Sequence, residues 1–209
     1  MRALKLLILA SFAVVSMLAA TVVHANTKSV EHTIPMAGIT HVQVHNAVGS
    51  VYITQGEGEE ATLRVEFEGK RSGMLRRTKD VSDMDVTIQT RGDRVRISFQ
   101  ENNVEATFYL SLPAHGHLEV DMGVGMLDAR VGATRVDVNM GVGDVTVRAP
   151  RESAGQIAVN AGVGAASIQG ALEHQSTRAI VTERASGRGE GEYSIHADVG
   201  VGDVKVILE

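Results

Sequence analysis

From His41 onward the chain alternates apolar and polar residues, the period of strands with one buried face. The triplet Gly-Val-Gly punctuates that alternation at 123–125, 141–143, 162–164 and 200–202, at about 20-residue spacing with the last gap about twice as long. Around each central Val, apolar residues stand six, four and two positions before it and three and five after. Leu118, Val120, Met122, Val124, Leu127 and Ala129 make one copy, and Val136, Val138, Met140, Val142, Val145 and Val147 the next. Ile157, Val159, Ala161, Val163, Ala166 and Ile168 follow, then Ile195, Ala197, Val199, Val201, Val204 and Val206. The alternation keeps one register up to the central Val and then shifts by one residue. Such a shift sends every later side chain to the wrong face unless the chain bends between. Gly123, Gly125, Gly141, Gly143, Gly162, Gly164, Gly200 and Gly202 supply the bend, because they reach backbone angles a β-branched residue cannot. Each copy is therefore strand, Gly corner, strand, with one wall on the core.

A weaker copy surrounds Val48-Gly49, with Val42, Val44, Val51 and Ile53 in place and Asn46 in an inward slot. Between 170 and 190 the template fails in either register, although there is room for one more rung; divergence or a hairpin at Gly187–Gly191 would account for it. In the middle of the chain Met84, Val86 and Ile88 alternate, as do Val95, Ile97 and Phe99, with the turn signal Gly92-Asp93 between. Thr62–Glu68 and Ala106–Leu112 are further strands, and no helical period appears after the N-terminal segment. The pattern predicts an all-β, single-domain β-solenoid of stacked two-strand repeats with Gly-Val-Gly corners, an elongated β-sandwich being the alternative.

The copies Val138–Val147 and Ala197–Val206, each carrying Gly-Val-Gly-Asp-Val, are similar to those of the bacterial "putative adhesin" family, whose repeat domain is also called toastrack. The resemblance runs from about His41 to Glu209. It implies an all-β stacked-strand fold in an exported or membrane-linked envelope protein, and it carries over no catalytic residue.

Arg2 and Lys5 precede an apolar run from Leu6 to Val23, and Val23-His24-Ala25 has the small-residue form of a cleavage site. Residues 1–25 therefore read as a secretory signal peptide and 26–209 as the exported domain, periplasmic or at the cell surface. The formal net charge is −5, and cleavage would remove the positive Arg2 and Lys5. An acidic chain with 3% aromatic residues lacks both the field and the stacking platforms of a nucleic-acid binder. With no Cys there is no disulfide framework, thiolate metal site, Cys nucleophile or lipidated anchor.

Asp121, Asn139, Asn160 and Asp198 stand three positions before the central valines, on the outer face. Corner residues of this type accept hydrogen bonds from nearby backbone amides. A Ca²⁺ ladder built from them and from Asp144 and Asp203 is outweighed: calcium wants six to eight oxygens, two of the four residues are amides, and Met126 and Ala165 replace the Asp elsewhere. A dinucleotide loop does not fit, since a second strand follows each Gly corner, and the sequence has neither a G-x-S-x-G nucleophile elbow nor H-E-x-x-H. His115-Gly116-His117 reads as an exposed loop, because two imidazoles without a third ligand make no metal site. No cofactor is expected.

Lys70, Arg71, Arg76, Arg77 and Lys79 form a basic run in an acidic chain. Its functional reading is contact with anionic lipid or lipopolysaccharide phosphates. The expected function is that of a non-enzymatic, envelope-associated interaction or structural module, with loops 69–80 and 185–192 carrying contacts. A ligand- or lipid-binding module linked to envelope-stress sensing is the alternative. An uncovered last strand at Val204, Val206 and Leu208 would invite self-association.

Overall fold

The computed structural model describes residues 26–72, 77–179 and 181–209, and the signal-peptide reading and Arg76 lie outside them. Every regular element described is a strand: β1 (Thr27–Pro35), β2 (His41–Gln55), β3 (Glu60–Gly69), β4 (Arg71–Ser72), β5 (Arg77–Thr78), β6 (Thr87–Arg91), β7 (Arg94–Phe99) and β8 (Val104–Leu112). The second half holds β9 (His117–Arg130), β10 (Arg135–Ala149), β11 (Ala154–Val163), β12 (Ala166–Gln169), β13 (Glu173–Ala179), β14 (Thr182–Arg188), β15 (Tyr193–Val201) and β16 (Val204–Leu208).

The repeats stack as parallel rungs. β2, β9 and β10 run unbroken through their corners, while β15 continues as β16 and β11 as β12 across theirs. The first arms, extended by β6–β7 on one side and β14–β13 on the other, form one wall. The second arms form the other wall, extended on the β2 side by β8, β3 and β1. The walls meet at the Gly corners and enclose the core, where Phe67 and Phe99 pack with ring centroids 4.7 Å apart. Chain order and stacking order part at one place. The C-terminal rung β15–β16 is seated between β10 and β11–β12, so a later segment lies between two earlier ones.

Most sequence expectations hold in register. The inward positions of all five copies are buried, including Asn46, which is 0% exposed and donates from Nδ2 to the carbonyl of Ala106 at 2.9 Å. Gly92-Asp93 turns β6 into β7, with Arg91 opposite Arg94. Others are corrected. Met84 and Val86 precede the strand, which opens at Thr87; the Met84 amide closes a turn on Val81 instead. The segment between 170 and 190 is neither a rung nor a hairpin at Gly187–Gly191. β13 and β14 pair antiparallel from Glu173–Arg188 to Ala179–Thr182, so the chain reverses after Ala179 instead. Gly189–Glu192 then link β14 to β15, with Gly189 and Gly191 bonded back to Gly155 and Ala154. Nor is the last strand an edge: β16 pairs with β10 on one side and β12 on the other, so Val204, Val206 and Leu208 are buried.

Candidate functional site

The corner itself is the place where the repeats act together. The first Gly of each triplet is needed because rungs approach closely: a Cβ on Gly141 would sit 2.6 Å from the carbonyl oxygen of Gly123. The second Gly has a left-handed backbone, φ +139° at Gly143, and a Cβ there would fall onto the carbonyl oxygen of Gly125. Between the two glycines the central valine is turned outward. Val48, Val124, Val142, Val201 and Val163 are 42–48% exposed, although they continue the apolar register of the buried arm. The bend therefore begins one residue earlier than the alternation suggests. These valines are direct cross-rung neighbours in that order, making a continuous apolar ridge along the corner.

Beside the ridge runs a shallow trough of about 610 Å³. Gly123, Gly141, Gly200 and Gly162 floor it with backbone, and its far lip is the outer row His45, Asp121, Asn139, Asp198 and Asn160. This row is the stacked outer row expected from the sequence, but its bonding differs. Asn139 Nδ2 donates to Asp121 Oδ1 at 3.3 Å, and Arg184 Nε donates to Asn160 Oδ1 at 3.1 Å, so the row is braced side chain to side chain. Backbone capping falls to the Asp after the corner: Ala165 N–H donates to Asp203 Oδ1 at 2.8 Å, and Asp203 N–H to Asp144 Oδ1 at 3.3 Å. Each cap joins one rung to the next. Among the described residues no group of three or more His, Asp or Glu is placed to hold a metal ion. Nor does a Lys or Arg pair there with Asp121, Asp198, Asp144 or Asp203.

Elsewhere on the outer faces charges are closed on one another. Asp137 takes Arg135 Nε at 2.9 Å and His117 Nε2 at 2.6 Å, bracing β9 and β10, while His196 Nδ1 of β15 stands 3.4 Å away without a hydrogen bond. Burial pushes the Asp137 carboxyl up, but the Arg135 and His117 hydrogen bonds outweigh it and hold it below the usual carboxylate range. The expected His115–His117 loop is thus only half a loop, because His117 opens β9 in this brace. His115 is half-buried; its Nδ1 donates to the carbonyl of Pro113 at 2.8 Å, and its Nε2 is buried without a partner. On the second wall Tyr52 and Tyr109 stack at 5.3 Å, and the Arg64 guanidinium lies 5.6 Å from the Tyr109 ring centre. These rings face each other and the cation.

The basic run divides. Lys70 Nζ is held by Glu68 at 2.9 Å and Glu105 at 2.7 Å, and Lys79 Nζ by Glu101 at 3.0 Å. The hydrogen bond that Lys70 donates to Glu105 is the main reason its ammonium titrates above its ordinary range. Arg71 and Arg77 are exposed on the small β4–β5 pair. The exposed valines went unrecognised in the sequence; the signal was there, since a valine between two corner glycines stands where the register changes.

A stack of parallel, corner-bent rungs is a toast-rack architecture. The chain belongs to the toast_rack family: residues 21–169 match the model of the N-terminal domain of toast_rack, DUF2154. The match ends at the last residue of β12, so the interleaved rung β15–β16 lies beyond it. Among solved structures the chain is similar to a putative cell adhesion protein from Clostridium sporogenes at 15% identity. That likeness has a TM-score of 0.50 and covers 88% of this chain and 100% of that one. It is also similar to a putative adhesin from Bacteroides fragilis, at 11% identity and TM-score 0.33 over 86% and 97% of the two chains. No curated protein matches the sequence.

Proposed function

We propose that the chain is a non-enzymatic interaction module of the cell envelope, exported by its N-terminal segment and presenting the rung stack to a macromolecular partner. The observation that carries this reading is the fivefold repetition of one exposed side-chain row along the corner, a linear surface suited to an extended contact. The adhesion names of its structural neighbours point the same way, and the amino-terminal Arg-Lys, apolar run and small-residue site supply the route out of the cytoplasm. Contact with anionic lipid or lipopolysaccharide through the basic run would use Arg71, Arg77 and Arg76, which lies outside the described residues, because carboxylates already hold Lys70 and Lys79.

The test is binding of labelled residues 26–209 to isolated envelope fractions, together with protease accessibility of a tagged copy in intact and opened cells. Saturable binding and a processed, non-cytoplasmic chain are expected. Absence of saturable binding, or a cytoplasmic chain, overturns the reading. Arg71→Glu with Arg77→Glu separates the anionic-surface contribution.

A further inference from the structure

The ridge and trough have a length, a width and a charge, and together these select a partner. Rungs stack about 4.8 Å apart, so Val48 to Val163 spans about 19 Å. The far lip lies three residues along each strand from the ridge, which sets the trough at about 10 Å wide, close to the diameter of one helix with its side chains. A helix laid along it rises 1.5 Å per residue, so about 13 residues cover the five valines. Its apolar stripe meets the ridge once per 5.4 Å turn, close to the rung spacing. An extended segment would present alternate side chains every ~6.8 Å and fall out of step within two or three rungs.

Charge decides which helix. Asp121 and Asp198 stand on the far lip, Asp144 and Asp203 on the other side of the ridge, and no Lys or Arg among the described residues is paired with them. Arg184 enters only at the end, on Asn160. A second copy of this chain would bring like charges together along the whole contact, and an anionic bilayer would be repelled.

We propose that the corner trough seats an amphipathic α-helix of a partner protein, its apolar stripe on the valine ridge and its Lys or Arg residues on Asp121 and Asp198. This rests on the interaction-module reading and names the partner's chemistry. The test is fluorescence anisotropy of residues 26–209 with a labelled 18-residue Leu/Lys amphipathic helix. A Leu/Glu helix of the same pattern and a scrambled Leu/Lys peptide are the controls. Both controls are expected to bind at least tenfold more weakly. The same loss is expected for the Asp121→Asn/Asp198→Asn variant and for the Val124→Thr/Val142→Thr/Val201→Thr variant, which keeps β-branching. The Asp variant, nearly isosteric, decides the matter if the Val variant melts early. Equal binding of the scrambled peptide, or binding indifferent to the variants, overturns the proposal. So does capture of the wild-type chain by phosphatidylglycerol vesicles through the same valines. Envelope binding that survives both variants while the Leu/Lys helix fails to bind sinks this proposal and leaves the interaction module standing. No envelope binding by the wild type sinks the broader reading.

Discussion

At the scale of single residues, Gly143 and His115 set the sharpest expectations. Gly143→Ala adds a Cβ where backbone already stands and forces a left-handed φ on an L-residue. It should cost more than about 2 kcal/mol, read as a lowered urea midpoint. His115 is held neutral because burial disfavours its imidazolium, and its pKa lies below the ordinary 6.5. Its Nδ1 already donates to Pro113, so protonation would put an N–H with no acceptor at the buried Nε2. The unfolded chain therefore takes up this proton first. Stability is full above about pH 6.5 and is lost as pH falls through the lowered folded value. Urea midpoints of the wild type should drop between pH 7.5 and 5, and His115→Gln should flatten that slope. Asp137 acts in a separate window: its carboxyl is held below 3.8, so its contribution is lost only in more acid solution. None of this was legible in the sequence. His115 and His117 look alike there, and only the fold gives one a carboxylate, Asp137, and the other a half-buried place beside Pro113.

At the scale of elements, caps link neighbouring rungs. Asp203 accepts the Ala165 amide across the gap between β15–β16 and β11–β12. Asp203→Ala should destabilise by about 1 kcal/mol, whereas Asp203→Asn, which keeps the acceptor, should stay near the wild-type melting temperature. The arms, the corners and their register could be read from the chain because period-two alternation and paired glycines are local signals. The outward valines were legible only as the place where the register changes. Their apolar character fits the inward register, and the residue at which the backbone starts to bend, which the pattern leaves open, decides the face. The same limit explains β13–β14. Glu173–Arg188 lacks buried alternation because this hairpin extends only one wall and has little core to face. Asp121 and Asn139 showed their row but not their partners, since a side-chain brace depends on which rungs are adjacent.

Across the whole molecule, adjacency is the property the chain conceals. Nothing in the repeat spacing says that β15–β16 lies inside β11–β12, since every copy has the same inward pattern and fits any slot. The interleaving makes the last rung central. A chain ending at Glu192 leaves β10 and β11 each with an open edge, and β12 loses the strand that seats it. That truncation should melt early and elute as aggregate in size-exclusion chromatography. A monomer with an unchanged melting temperature would contradict this account.

The same interleaving has a consequence in time. A chain made from its N-terminus can assemble β2, β9 and β10 as they emerge, but β11 to β14 then have no place to settle. They can pair with one another as β11–β14–β13, but they join the stack only when the segment from Tyr193 arrives to fill the gap. Their contacts bridge long stretches of sequence, which makes this step slow. The molecule cannot be completed in the order in which it is synthesised.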